Sequence, residues 1–190
     1  SSLRLPAYYD YNLMEGYPIL ARALELFAEE SCTVNDTGKV ISVYSDDKKI
    51  KAKLDNLFVN ILNCNSTLIY WARIMVKYGD NFLLLLTESG KGIKGVRELP
   101  VIEIDRKEFI DRQNNIITKF VWGTGKEEYA QWQVCHFRLL GDDRMIPYGT
   151  SVFAPVRTYF RMLRMCEDGM LVYRASRMAE RRVYKINVGN

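Results

Sequence analysis

Hydrophobic positions in the first eighty residues recur mostly every three or four. In YPILARALELFAEES (17–31), Ile19, Ala23, Leu26 and Phe27 share one face, which predicts a helix beginning near Pro18, a residue suited to a first helical turn. In DDKKIKAKLDNLFVNIL (46–62), Ile50, Leu54, Leu57, Phe58, Ile61 and Leu62 keep helical spacing behind Asp46 or Asp47, either of which can cap the free N–H groups of the first turn. NSTLIYWARIMVKYG (65–79) predicts a third helix, capped by Asn65 or Ser66 and stopped by Gly79. Between the first two helices, GKVISVYS (38–45) alternates apolar and polar residues and predicts a strand. Residues 1–16 are rich in tyrosine and polar side chains, show no clear period, and read as loosely organised.

From residue 80 the period drops to two. NFLLLLT (81–87), GVRELPVIEI (95–104), NNIITKFVW (114–122) and YAQWQVCHFRLL (129–140) read as strands between Gly-rich or Asn-rich turns, so residues 80–140 predict an antiparallel sheet. SGKGIKGVR (89–97) reads as a hairpin turn, and the aromatics Phe82, Phe120, Trp122 and Trp132 as core. FLLLLT is too short to cross a bilayer, and no other apolar run approaches that length, so no membrane insertion is expected.

After GDDRMIPYG comes the longest helical signal. Val152, Val156, Tyr159 or Phe160, Leu163, Cys166, Met170 and Tyr173 recur at helical spacing, which predicts a helix over 151–179, about 43 Å at 1.5 Å per residue. Thr150 or Ser151 can cap it, and Pro155 falls in or near its first turn. Gly169 in its interior costs about 1 kcal/mol relative to alanine. The arginines on this helix form two stripes. Arg157, Arg161 and Arg164 follow i, i+4, i+7 spacing, and Arg174, Arg177 and Arg181 repeat it, rotated by roughly a third of a turn. Arg182 and Lys185 add charge where RVYKINV predicts a strand.

Composition changes this picture in one respect. Apolar residues make up 48% and charged residues 26%, which excludes disorder, and the net charge of +4 is uneven. Residues 151–190 hold eight Lys/Arg against three Asp/Glu, a net of +5, while 1–150 hold nineteen against twenty, a net of −1. Two readings fit the basic end: a solvated helix face, or a surface for carboxylates of neighbouring chains or for phosphates. The chain's first residues do not read as a secretory signal, and Cys32, Cys64, Cys135 and Cys166 have no metal-ligand spacing, so they read as reduced core residues of an intracellular protein.

Catalytic chemistry finds no pattern to rest on. The single histidine, His136, lies in a strand-like run and reads as structural. WGTGKEE (122–128) lacks phosphate-loop spacing, and the pairs Asp46–Asp47 and Asp142–Asp143 suit caps and turns, so no enzyme activity, cofactor or metal is expected.

The C-terminal stretch HFRLLGDDRMIPYGTSVFAPVRTYFRMLRMCEDGMLVYRASRMAERRVYKINVGN (136–190) resembles the portal proteins of tailed bacteriophages, most closely those of contractile-tailed phages. The resemblance is carried by Tyr148-Gly149 with Ser151, Glu167-Asp168, Leu171-Val172-Tyr173-Arg174, Arg177, Glu180-Arg181-Arg182-Val183 and Ile186-Asn187-Val188-Gly189-Asn190. KYGDNFLLL, GIKGVRELP and IDRKEF fit the preceding region more loosely. The resemblance implies an α+β fold: a wing of helices and antiparallel sheet over 1–149, a stem helix over 150–180, and the first strand of a clip over 181–190. The rest of such a subunit (clip, second stem helix and crown) is not in this sequence, which therefore reads as a fragment. The resemblance further implies a homo-oligomeric ring of twelve at the portal vertex of a virion, assembled in the host cytoplasm. The implied partners are the terminase large subunit, major capsid and scaffold proteins, head-completion or neck proteins, and double-stranded DNA in the channel. Arg157, Arg161, Arg164, Arg174, Arg177, Arg181, Arg182 and Lys185 then become the candidate subunit-interface or DNA-facing residues. The alternative is a monomeric nucleic-acid-binding module with a basic helix.

Overall fold

The computed structural model describes residues 4–110, 116–123, 127–141, 145–178 and 183–189. The chain divides into two compact units, Ser1–Ala154 and Pro155–Asn190.

The first unit opens with a helix where loose structure is expected. Helix α1 (Arg4–Glu15) buries Arg4, Ala7, Tyr8, Tyr11 and Met14, spaced three or four apart on one face. That face is aromatic and polar, which hides its period in the sequence; the Tyr8 hydroxyl and Arg4 Nη2 find partners inside the fold, while Arg4 Nε and Nη1 are buried with no hydrogen-bond partner among the described residues. Helix α2 (Pro18–Ser31) begins at Pro18 as expected, but it buries Leu24 and Ala28. Ile19, Leu26 and Phe27, expected on the packed face, are 73%, 45% and 50% exposed. The helix carries apolar residues on more than one side, and the small Ala28 marks the side that packs on a neighbouring helix.

Helix α3 (Lys48–Asp55) is capped by Asp47, whose carboxylate accepts from the backbone N–H of Lys49 at 2.7 Å and of Ile50 at 3.4 Å. It continues as a π-helical turn, Asn56–Ile61, which the Leu62 N–H closes onto the Leu57 carbonyl at 2.9 Å. Helix α4 (Cys64–Tyr78) starts behind Asn63 in a left-handed conformation (φ 48°), so neither Asn65 nor Ser66 is its N-cap. The Asn65 side chain is engaged elsewhere, and its Oδ1 accepts from the Val40 N–H at 3.0 Å. This holds the segment expected as a strand over 38–45, which has no ladder partner among the described residues and forms no strand. Gly79 ends α4 as expected, with φ 85° and its N–H on the Met75 carbonyl at 2.7 Å.

The expected single sheet is two. Sheet A orders β2 (Gly92–Leu99), β1 (Asp80–Glu88) and β6 (Val134–Arg138); sheet B orders β3 (Ile104–Ile110), β4 (Ile116–Trp122) and β5 (Glu127–Ala130), all antiparallel. The run 95–104 breaks at Pro100, which cannot donate to a ladder, and the chain turns over 101–103 into the second sheet. The run 129–140 breaks at a 3₁₀ turn, Gln131–Gln133, and so contributes to both sheets. Phe82 and Phe120 join the sheets edge to face, with centroids 5.8 Å apart. Both are buried, as expected, but Trp132 is 65% exposed because the 3₁₀ turn lifts it off the ladder.

The second unit is built on helix α5 (Arg157–Arg177), 21 residues and about 31 Å long, preceded by a 3₁₀ turn at Ala154–Val156. It starts later than expected because Ser151 is held elsewhere: its hydroxyl donates to the Lys77 carbonyl and accepts from the Phe153 N–H at 2.9 Å. Residues 183–189 form no strand; they have no ladder partner among the described residues.

Candidate functional site: a basic helix and a buried polar hub

Every described side chain of α5 except Phe160 is at least partly exposed. Tyr159, Met162, Met165, Met170, Leu171, Val172 and Tyr173 are each more than half exposed. At about 100° per residue these seven lie on several sides of the helix. An isolated surface helix keeps one apolar stripe toward its own core, whereas here apolar residues stand exposed on several sides.

The arginines keep their two stripes. Arg157, Arg161 and Arg164 lie within about 60° of arc, and Arg174 with Arg177 on another side, so the structure does not gather the basic residues into one patch. Arg164 stands 3.9 Å from Glu167, and the Arg177 guanidinium lies 4.6 Å from the centre of the Tyr173 ring. A surface pair at that distance is worth little by itself. Lys185 is exposed, and Arg181 and Arg182 lie outside the described residues.

The second cluster is one that sequence reading passes over. Asp80, fully buried, accepts from the Tyr8 hydroxyl at 2.9 Å and the Gly149 N–H at 2.8 Å, and His136 Nε2 lies 2.8 Å from its Oδ1. His136 stacks on Phe82 with centroids 4.4 Å apart. Arg4, 4% exposed, donates to the Ile104 carbonyl and to Asp105 at 3.0 Å, and its guanidinium lies 3.8 Å from the Tyr148 ring centre. Burial pushes the Tyr8 hydroxyl far above its ordinary range, and the Asp80 charge adds to the shift. Burial likewise raises Tyr148, whose hydroxyl accepts from the Arg106 N–H at 2.8 Å. Glu15 anchors the other end of α1 through Arg73 and Lys77, both at 2.5 Å. Burial raises its carboxyl, but the hydrogen bonds from Lys77 and Arg73 outweigh this and hold it below the ordinary carboxylate value.

The hub ties α1, β1, β6 and the segment 147–151 together. A side chain at Gly149 would meet the Gly79 carbonyl oxygen at 2.0 Å, and one at Gly79 would meet the Thr150 backbone at 2.6 Å. Thus Tyr148, Gly149 and Ser151, singled out by the resemblance, each have a local packing role. Among the described residues no cluster of His, Cys, Asp or Glu could hold a metal, and no helix is long and apolar enough to cross a membrane.

Compared with known proteins, residues 5–190 match the family described as Bacteriophage T4-like portal protein (Gp20). Among solved structures, the chain is similar to one in the neck of a native GTA particle with C12 symmetry, with TM-score 0.53, 13% identity, and coverage of 90% of this chain and 44% of the other. It is similar also to one in the neck of an empty GTA particle with C6 symmetry, with TM-score 0.54, 13% identity, and coverage of 90% and 45%. At this identity the likeness is one of fold. The chain spans less than half the length of those chains.

Proposed function

Because the chain belongs to the bacteriophage T4-like portal protein family, we propose that it is the wing and first stem helix of a portal subunit, a structural component of a homo-oligomeric ring at one vertex of a capsid. On this reading α5 is the stem helix, residues 181–190 lead into the clip, and the ring is the passage through which DNA is packaged and ejected. The terminase large subunit docks on it during packaging. Capsid, scaffold and neck proteins contact it at other stages. Twelve subunits is the number we favour; the necks that hold the two similar chains were computed with C12 and C6 symmetry.

The observation that carries this reading is the exposed apolar surface of α5 alongside its arginines. Fully burying an aliphatic or aromatic side chain is worth about 1.5–3 kcal/mol, so several covered on each subunit make a substantial interface. The arginines fit such an interface better than a DNA grip. A bore that bound many phosphates tightly would resist sliding, because each phosphate contact strengthens binding and steepens its salt dependence. We therefore assign most of them to carboxylates of adjacent subunits, and a minority to DNA.

Light scattering on this chain and on a longer chain extended beyond Asn190 tests the reading. We expect a ring of about a dozen from the longer chain. Arg177→Glu in that chain should weaken assembly. Intact Arg177→Glu rings that fail only in packaging would refute the arginine assignment. Two monomeric chains that bind DNA tightly at low salt would instead favour a nucleic-acid-binding module.

A further inference from the structure

An open recess of about 340 Å³ lies between α4 and the end of β2 in the unit Ser1–Ala154. Ile74 and Tyr78, one turn apart on α4, form one wall, and residues 99–102 form the other. Glu98 of β2 also lines it and is exposed. Its carboxylate has no ion pair or hydrogen bond among the described residues. Lys91 holds Glu88, and Lys119 holds Glu128, below the ordinary carboxylate value. Burial alone acts on Glu98, and it raises the carboxyl. A carboxylate in that position gains by meeting a cation. Apolar walls beside an unpaired carboxylate suit an apolar stem with a cationic end, which is the make-up of an arginine side chain.

Helix α5 of the second unit presents one. On that helix Arg164 has Glu167 at 3.9 Å, and Arg177 lies against the Tyr173 ring. Arg157 and Arg161 are engaged as well. Arg174 is exposed, and its guanidinium has no ion pair or hydrogen bond among the described residues. Met170 and Leu171, one turn before Arg174, are both more than half exposed, and they line one hollow with it and with Glu167. This side of α5 thus offers a free cation beside apolar side chains, and the recess offers a free carboxylate beside apolar walls.

We infer that the recess at Glu98 in one copy receives Arg174 of a neighbouring copy, with the guanidinium on the Glu98 carboxylate and Leu171 and Met170 against the apolar walls. The inference rests on the ring reading and names a carboxylate partner for one of its arginines. The two patches are different, so the contact is head-to-tail, the type that repeats around a closed ring. A guanidinium is more weakly hydrated than an ammonium and can meet both carboxylate oxygens, which suits a contact rimmed by apolar side chains.

The test uses the longer chain extended beyond Asn190, with scattering mass followed as concentration rises. Glu98→Arg and Arg174→Glu should each raise the concentration needed for assembly by about tenfold or more. The two changes together in one chain should restore assembly, because every contact then carries the same pair reversed. An equimolar mixture of the two single variants should also assemble, with the variants alternating around the ring. Arg174→Lys gives a second readout: carbodiimide should join Glu98 of one copy to the amine introduced at position 174 of the next, in step with the rise in mass. Where a reversed charge hinders folding, that link decides the question. Undiminished assembly of either single variant, weakened assembly that the paired change fails to restore, or assembled Arg174→Lys chains without the link would overturn the contact and leave the ring standing. A link formed within single chains would do the same. A wild-type chain that stays monomeric would overturn both.

Discussion

The unit Ser1–Ala154 and helix α5 solve opposite problems with similar residues. In the first, apolar side chains such as Leu24, Phe82, Leu99 and Ile104 are fully enclosed, a buried aspartate accepts from Tyr8 and Gly149, and a buried arginine donates through one nitrogen to Ile104 and Asp105. In the second, leucine, valine, methionine and tyrosine stand in solvent, with arginines between them. The first unit covers these side chains with its own chain. On the ring reading, the α5 surface gains by being covered and its arginines select what covers it.

The comparison can be broken most forcefully at the hub. Asp80→Ala removes the acceptor for Tyr8 and Gly149 and the partner of His136, and should cost about 3–5 kcal/mol in urea unfolding, the range for dismantling a buried charged network. A loss below about 1 kcal/mol, the net worth of one ordinary hydrogen bond, would mean that the hub does not hold the unit together. A matched pair of leucines comes next. Leu24→Ala, at a fully buried site, should cost about 2–5 kcal/mol, whereas Leu171→Ala, 66% exposed, should stay within about 0.5 kcal/mol in the unassembled chain while weakening assembly. Equal costs at the two sites would erase the distinction between enclosed and waiting surface.

Acid should act on the first unit. Glu15 has a folded-state value below its ordinary 4.5, so its stabilising effect is complete above that value and is lost as pH falls below it, through the folded-state value. Stability measured from about pH 6 down to about pH 3 should fall, and Glu15→Gln should flatten part of that fall. The smallest effect belongs to α5. A Cβ on Gly169 would meet nothing within 4 Å, so Gly169→Ala should raise helix content by circular dichroism and stabilise the helix by about 1 kcal/mol. If the same change hinders ring formation, the glycine serves close approach of a neighbouring subunit.

Much of the fold was legible because periodicity is a local property. Helices α2, α3 and α4, the β1–β2 hairpin and a long C-terminal helix all follow from spacing, and Asp47 and Gly79 act at the two helix ends assigned to them. Helix α1 was missed because its buried face is built of tyrosine, arginine and methionine, residues whose burial depends on Asp80 and Asp105, 72 and 101 positions away. The packed side of α2 was misplaced because Ile19, Leu26 and Phe27 are as apolar as the residues that do pack. The candidate arginines were legible as stripes, while the recess at Glu98 was not, because its walls come from α4, β2 and the turn that follows β2.

By itself, the sequence determined the alternation between helical and extended periods, the uneven charge, the absence of a recognisable catalytic pattern and the resemblance at the C-terminal end, since each is written in neighbouring residues. Tertiary structure decided which of two apolar faces was buried, that one run of strands became two sheets, that 38–45 went without a strand, and that Asp80 became a centre. Those outcomes depend on distant atoms competing for the same contacts: a strand needs a partner, a buried carboxylate needs donors, and an apolar face is interior only when something comes to lie on it.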